Sequence, residues 1–386
     1  MSSPIILIPV FKKIESLKRL LFTLEKADYK ENFPLLLFSY HVGASQKVID
    51  FILAYHWPHG EKIIRFIEEQ LYLDEHIRRC GDLSAEYPSI IILEDDLVVS
   101  PFFYQYAIAV EKGLKHQDEI SQISLVRGGF LPNLLPHHLL SDAHSFFAVQ
   151  KVSSSGYLFT KRTWQDFRHW LKNADLEKPF ALPAHIIGYG LDNWEFQYNA
   201  YLVDQKKYSA WPKMSLTSNQ GTPGIHLKTE IDAGFYQSPL VSEMPLLRWE
   251  IQDKNCLRYD AFFNLDAIFF MEILSVHKLE PAEVEIDLYG DKPLELSNKP
   301  YWLSRKKCRK AIATFSDDLK PLEINVLWQF PGTEISLCRK EDIVIHAKET
   351  VRQKARLYFS EVSDIGIIPF IKYKWLKYVE RKRYKG

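Results

Sequence analysis

At 386 residues the chain has room for one large domain or two modest ones with proper cores, which excludes a mini-protein that depends on staples. Lysine plus arginine, 49, equals aspartate plus glutamate, 49, so no whole-chain field attracts a polyanion and nucleic acid is not expected as a partner. The four cysteines, Cys80, Cys256, Cys308 and Cys338, are scattered without a CxxC pair, which argues against a zinc site or a disulfide framework and for a reducing, cytoplasmic setting.

In chain order, Pro4 to Val10 is a continuous apolar run of the kind a buried parallel strand shows, too short for a signal or a membrane anchor. No later run approaches the ~20 apolar residues that a spanning helix needs. Ile14 to Leu24 carries apolar residues at helix period. The alternation continues as strand 35–40, helix 46–55, a helical stretch 63–80, strand 90–93 and helix 101–114, which reads as a layered α/β domain with a mostly parallel sheet. Strand candidates follow at 122–126, 146–149 and 156–159, with helices at 162–171 and 188–203. The segment 215–228, SLTSNQGTPGIHLK, reads as a polar, glycine-rich loop of the mobile, functional kind. Beyond about Pro245 the character changes, with a strand at 283–288, a basic helix at 305–312 and a strand at 322–328, so a boundary is placed between residues 1–244 and 245–386.

The aliphatic run IIIL ends in three consecutive acids, Glu94, Asp95 and Asp96. In an open α/β sheet ligands gather at the carboxyl ends of strands, and adjacent carboxylates there can hold Mg²⁺ or Mn²⁺ while water and phosphate oxygens fill the remaining positions. A solvated acidic turn is the plainer alternative. The first strand–helix turn has no glycine and no GxxxxGK[ST] loop occurs anywhere, which removes the usual dinucleotide and P-loop sites.

The segment YPSIIILEDDLVVSPFFYQY resembles the metal-binding strand of GT-A fold glycosyltransferases, in particular the N-acetylglucosaminyltransferase I type and related bacterial surface-polysaccharide transferases. PIILIPVFKKIESLKRLL, SSSGYLFTKRTWQDF, LDNWEFQYNAYLV and AWPKMSLTSNQGTPGIHLK agree in order, over about residues 4 to 230. The resemblance implies a Rossmann-like, mostly parallel sheet flanked by helices, with an additional α+β C-terminal region outside it. It implies that Asp96 binds the metal bridging the donor diphosphate, that Asp95 contacts the donor's ribose or sugar, and that Glu94 supports them. Relatives often have an asparagine or aspartate and an arginine at the first turn, where this chain has Phe11, Lys12 and Lys13. Lys12 is therefore a nucleotide or phosphate contact, or a solvated lysine at a helix start. Tyr40, with His41 beside it at the end of the second strand, stands where relatives recognise the base, and His76 where similar enzymes have a nucleotide-contacting histidine.

Inverting transfer needs one carboxylate to take the acceptor hydroxyl's proton. Asp192 in GYGLDNWEF aligns with that base; a helix N-cap is its other reading. Glu195 is the alternative base or the partner of a capping box. His226 is a metal ligand or a phosphate donor in a loop that would close over the diphosphate. The final segment 367–386 has seven Lys/Arg against one Glu with an aromatic stripe, which suits a peripheral helix on anionic lipid or a frayed tail. The reading is a metal-dependent inverting transferase in the cytoplasm, at the inner face of the membrane if that helix binds lipid. It uses Mn²⁺ or Mg²⁺ and a nucleotide-sugar donor, a UDP-sugar first, and a glycan or lipid-linked saccharide acceptor. A nucleotidyltransferase or other phosphoryl-transfer enzyme and a non-catalytic sugar-binding scaffold are the rivals.

Overall fold

The computed structural model describes residues 3–128, 137–142, 144–220, 237–241 and 256–344. The expected mixed α/β layer is there. Strand β1 (Ile5–Pro9) is buried throughout, and helix α1 (Ile14–Glu25) returns over the sheet on Leu17, Leu20, Leu21 and Leu24. Strands β2 (Leu36–His41), β3 (Lys62–Ile67) and β4 (Ser89–Ile92) alternate with α2 (Gln46–Ala54) and α3 (Leu73–Asp82), and all pair in parallel with β1 or its neighbour. After β5 (Leu97–Val99) and α4 (Phe103–Leu114), strands β6 (Ile120–Ser124), β7 (Phe146–Val149), β8 (Tyr157–Thr160) and β9 (Tyr208–Pro212) extend the sheet. The order is β11-β7-β9-β6-β8-β4-β1-β2-β3, with β8, β7 and β11 (Arg258–Tyr259) running against the rest.

Helices cover both faces, because strands buried on two sides must shed apolar surface on two sides. On one face α1, α2 and α4 pack against Ile6, Ile8, Leu36 and Phe38. On the other, α3, α5 (Lys161–Asn173) and α7 (Trp194–Asp204) pack Ile77, Trp164, Phe167 and Tyr198 against Leu7, Leu37 and Ile92. Trp194 is 3% exposed and belongs to this core. Between them, α6 (Ala184–Ile187) is a single turn.

The C-terminal region builds a separate four-stranded sheet, β12 (Val284–Asp287), β13 (Tyr301–Ser304), β15 (Ile335–Arg339) and β14 (Ala311–Phe315), with short helices α8 (Met271–Val276) and α9 (Glu323–Leu327). One apolar cluster runs from Phe147 and Trp211 through Phe263 to Leu303 and Leu337, so the two sheets share a core. The boundary expected at 245 falls outside the described residues. The chain that follows still pairs with β7 through β11, so it leaves the large sheet only after Tyr259.

Three segments differ from expectation. The helical stretch 63–80 divides into β3 and α3, because Ile63 to Ile67 finds a full parallel partner in β2. The basic helix at 305–312 is instead a turn leading into β14, and the strand at 322–328 is α9. Such short apolar runs have no period of their own to separate strand from helix.

Gly156 joins the sheet to its covering layer with φ +89, and a Cβ there would come within 2.7 Å of Thr217. Gly190 has a similar φ of +91 but open space around it. Gly156→Ala is therefore expected to cost about 1–3 kcal/mol beyond Gly190→Ala, as a shift between their urea midpoints.

Glu323, in the first turn of α9, is 0% exposed and its carboxylate oxygens have no hydrogen-bond partner among the described residues. Burial pushes it up to about 7 from the ordinary 4.5. A carboxyl whose folded pKa is raised keeps its proton in the native state, so its contribution is full below about pH 4.5 and is lost as pH rises through 7. Relative to the wild type, Glu323→Gln should gain about 3 kcal/mol between pH 5 and pH 8 in urea unfolding; no pH-dependent difference would overturn this reading.

Candidate functional site

The carboxyl ends of β1, β2 and β4 point the same way and deliver three loops to one edge of the sheet. From β4 comes the acidic turn, where Leu97 N–H donates to the Glu94 carbonyl at 3.2 Å and the three acids stand half-buried. From β1 comes the turn into α1, whose N-terminus has no side-chain cap among the described residues. Lys13 donates to Asp96 at 2.7 Å, and the Phe11 backbone N–H donates to Asp95.

Among the described residues the charges of this turn are not balanced. Burial first, then repulsion from Asp96, lifts Asp95 to about 7 although Lys13 opposes the shift. Burial and the charges of Asp96, Glu195 and Asp95 raise Glu94 well above its usual range. Burial opposes the Lys13 charge, but Asp96, Asp95 and Glu94 outweigh it. Among the described residues one ammonium thus faces three carboxylates in a low-dielectric corner beside a helix N-terminus without a side-chain cap, where anions are also favoured. Hard carboxylate oxygens of this kind fit a divalent cation. Among the described residues no three His, Cys, Asp or Glu side chains converge on a metal position, so a cation would draw further ligands from elsewhere.

β2 and α3 supply the imidazoles, His41 and His76. Ser39 and His41 face the α3 side, where the Ser39 hydroxyl meets His76 Nε2 at 2.9 Å and the His41 and His76 rings meet edge to face at 5.2 Å. Phe11 stacks on His41 at 5.0 Å. Burial pushes His76 down to about 4, so it is neutral, 3% exposed, and lies in the layer beneath His41. Burial and nearby Lys12 lower His41 too. Tyr40 turns to the opposite face and packs on Phe66 at 5.1 Å. Lys12 is exposed, its ammonium 4.6 Å from the Phe11 ring, and the lysine at the acids is Lys13. Sequence names His41 together with Tyr40 for the base and does not single out Phe11 or Lys13 as site residues; the alternation Leu37, Ser39, His41 is the signal that places His41 with His76 rather than with Tyr40.

The start of the polar loop is clamped to the same turn. β10 (Thr217–Asn219) pairs antiparallel with β5, Gln220 N–H donates to the Asp96 carbonyl at 2.9 Å, and Gln220 Nε2 donates to Ser16 and Leu97 carbonyls, each at 2.9 Å. His226 and the rest of the loop lie outside the described residues, as does the basic segment 367–386.

From the other side comes the N-terminus of α7. Asn193, not Asp192, is its N-cap and accepts Phe196 N–H at 3.0 Å, while Asp74 accepts Trp194 N–H at 2.9 Å. Asp192 is exposed; Arg78 donates to its backbone carbonyl at 3.0 Å, and its carboxylate has no recorded hydrogen bond or ion pair among the described residues. Glu195 turns inward. Burial raises its pKa against the pull of Lys151 and a hydrogen bond from Ser154, and it shares its field with Glu94. No capping box joins it to Asp192. Beneath, the buried Tyr157 hydroxyl has no hydrogen-bond partner among the described residues.

The edge of the α/β sheet thus brings together a half-buried carboxylate turn at its parallel strand ends, a lysine at the start of α1 and a stacked aromatic–imidazole pair. No family model matches the sequence, and no curated protein matches it. Among solved structures the chain is similar to S. aureus TarS 1–349, at 12% identity and a TM-score of 0.36 over 57% of this chain and 60% of that one. The same protein in complex with UDP-GlcNAc gives 12% and 0.38 over 59% and 61%. A protein named as a glucose-1-phosphate thymidylyltransferase from Bacillus anthracis, solved with sucrose, gives 12% and 0.35 over 62% and 98%. The match thus spans about three fifths of the TarS 1–349 chain. Among the described residues no helix is long and apolar enough to cross a membrane.

Proposed function

We propose that the chain is a glycosyltransferase that moves a sugar from a nucleotide-sugar donor, a UDP-sugar first, to a hydroxyl of a glycan or lipid-linked saccharide, with inversion. The observation that carries this is the acidic turn: Asp95 and Glu94 are held protonation-prone by burial and mutual repulsion, a cost relieved when a cation and a diphosphate enter together. Asp96 and the diphosphate would hold Mn²⁺ or Mg²⁺, which when bound supplies charge stabilisation for the leaving group. His226 is proposed as a further ligand from the loop.

Lys13, freed from Asp96, meets a phosphate oxygen at the start of α1. Phe11, stacked on the buried His41, offers a planar surface to the base, with His76 holding His41 from below. Asp192, released from capping by Asn193 and Asp74, takes the acceptor hydroxyl's proton as that oxygen attacks the anomeric carbon and the nucleoside diphosphate departs. Release of nucleoside diphosphate from a panel of sugar nucleotides, with Mn²⁺ or EDTA, tests the reading. Metal-dependent release stimulated by a saccharide acceptor is expected. Pyrophosphate-forming activity with sugar phosphates and nucleoside triphosphates would instead establish the nucleotidyltransferase.

A further inference from the structure

A second cavity lies far along the sheet, where β11 and the back of α7 meet the C-terminal sheet. It holds about 230 Å³. That is many times what one water needs and below the ~300 Å³ at which drug-sized pockets begin, so it suits a single ring.

Its two walls differ in kind. One is apolar, with Phe262, Leu265, Leu296 and Val203 among its residues. The other is an ion network: Lys292 bridges Asp260 and Glu285, Glu285 also accepts the Ser297 hydroxyl at 2.7 Å, and Lys299 stands 3.9 Å from Glu285. Asn264 lines it too, its Oδ1 taken by Leu288 N–H at 2.8 Å and its Nδ2 buried without a partner among the described residues. Ion pairs taken from water contribute little net stability, so a network placed against a cavity is poorly explained by folding alone. What it does supply is a fixed array of donors and acceptors with spare capacity, since each carboxylate has about four lone-pair positions.

Charge decides the ligand class. The lining cations Arg258, Lys292 and Lys299 are matched by Asp260, Asp266 and Glu285, and Arg258 is itself paired with Glu119 at 2.7 Å. A phosphate would have to pull these cations from carboxylates, and a zwitterion would bring two charges that each need a partner. A neutral pyranose brings neither: its hydroxyls donate to carboxylates and accept from ammonium groups, while its C–H face lies on the apolar wall. We infer that this cavity is a binding site for one neutral pyranose unit, separate from the acidic turn. The inference does not rest on the glycosyl-transfer reading.

Saturation-transfer NMR and calorimetry on the full chain with glucose, N-acetylglucosamine and maltose test it, with inorganic phosphate and glucose 6-phosphate as charged probes and UDP as a probe of the acidic turn. A neutral sugar should bind. Leu296→Trp and Ala181→Trp, each at a residue that lines the cavity, should each weaken binding at least tenfold with circular dichroism unchanged. UDP and phosphate should not displace the sugar. Maltose binding tenfold tighter than glucose would identify a residue of a glycan chain as the occupant, and equal binding a free sugar; either supports the site. If neither filled variant folds, Lys299→Ala at the half-exposed edge takes their place, with a several-fold loss expected. The site is overturned if no neutral sugar binds, if phosphate binds in preference, if UDP displaces the sugar, or if the substituted, folded variants bind as the wild type does.

Discussion

Asp96→Ala should lower metal-dependent release of nucleoside diphosphate by about 10³-fold or more. Charge stabilisation by a catalytic metal is worth several kcal/mol, and each 1.36 kcal/mol is tenfold in rate. Asp96 is the acid that Lys13 holds at 2.7 Å, and its backbone carbonyl receives Gln220 N–H, so both its side chain and its main chain are fixed. Removing its carboxylate also frees Lys13 and relieves Asp95 and Glu94, whose raised pKa values both owe part of their shift to Asp96. The variant should therefore be at least as stable as the wild type while calorimetry shows the loss of Mn²⁺-dependent UDP-sugar binding. Asp95→Asn, which keeps the shape and removes one repelling charge, should lose less. Full activity in Asp96→Ala would end the metal assignment.

Asp192→Asn should reduce the rate of transfer by 10²–10⁴-fold, the usual share of a positioned base, and leave donor affinity within a few-fold of the wild type. Its helix start is kept by Asn193 and Asp74, so the substitution removes a proton acceptor without removing a cap. Glu195→Gln is the informative companion. Glu195 lies in the fields of Lys151 and Glu94, so its loss should shift the pH–rate profile and cost roughly tenfold. A larger loss in Glu195→Gln than in Asp192→Asn would make Glu195 the base.

Much of the layer order was legible because it is local. Ile5 to Pro9 and Ser89 to Ile92 are apolar runs long enough for a strand and too short for a helix, and α1 shows its buried stripe at every turn. The acidic turn was legible for the same reason: charge directly after a buried run is unusual wherever it occurs. Segments 305–312 and 322–328 were misread because strand or helix there depends on what lies across from them, β15 for one and the C-terminal core for the other.

The site's finer assignments depended on direction rather than identity. Two adjacent lysines are equivalent in sequence, and only the exit angle of the β1 turn sends Lys13 to Asp96 and Lys12 to solvent beside Phe11. Tyr40 and His41 are neighbours whose side chains leave opposite faces of one strand, so the sheet's orientation decides that the imidazole joins His76 and the phenol joins Phe66. Asp192 and Asn193 both suit an N-cap, and the choice fell to Asn193 once Asp74, 119 residues away from it, closed on the helix start. The amino-acid order alone determined β1, α1, β4 and the carboxylates that end β4, because each is written in a few contiguous residues. Which of those side chains face one another was decided by the packed sheet, because contacts across scores of residues exist only after the layers have closed.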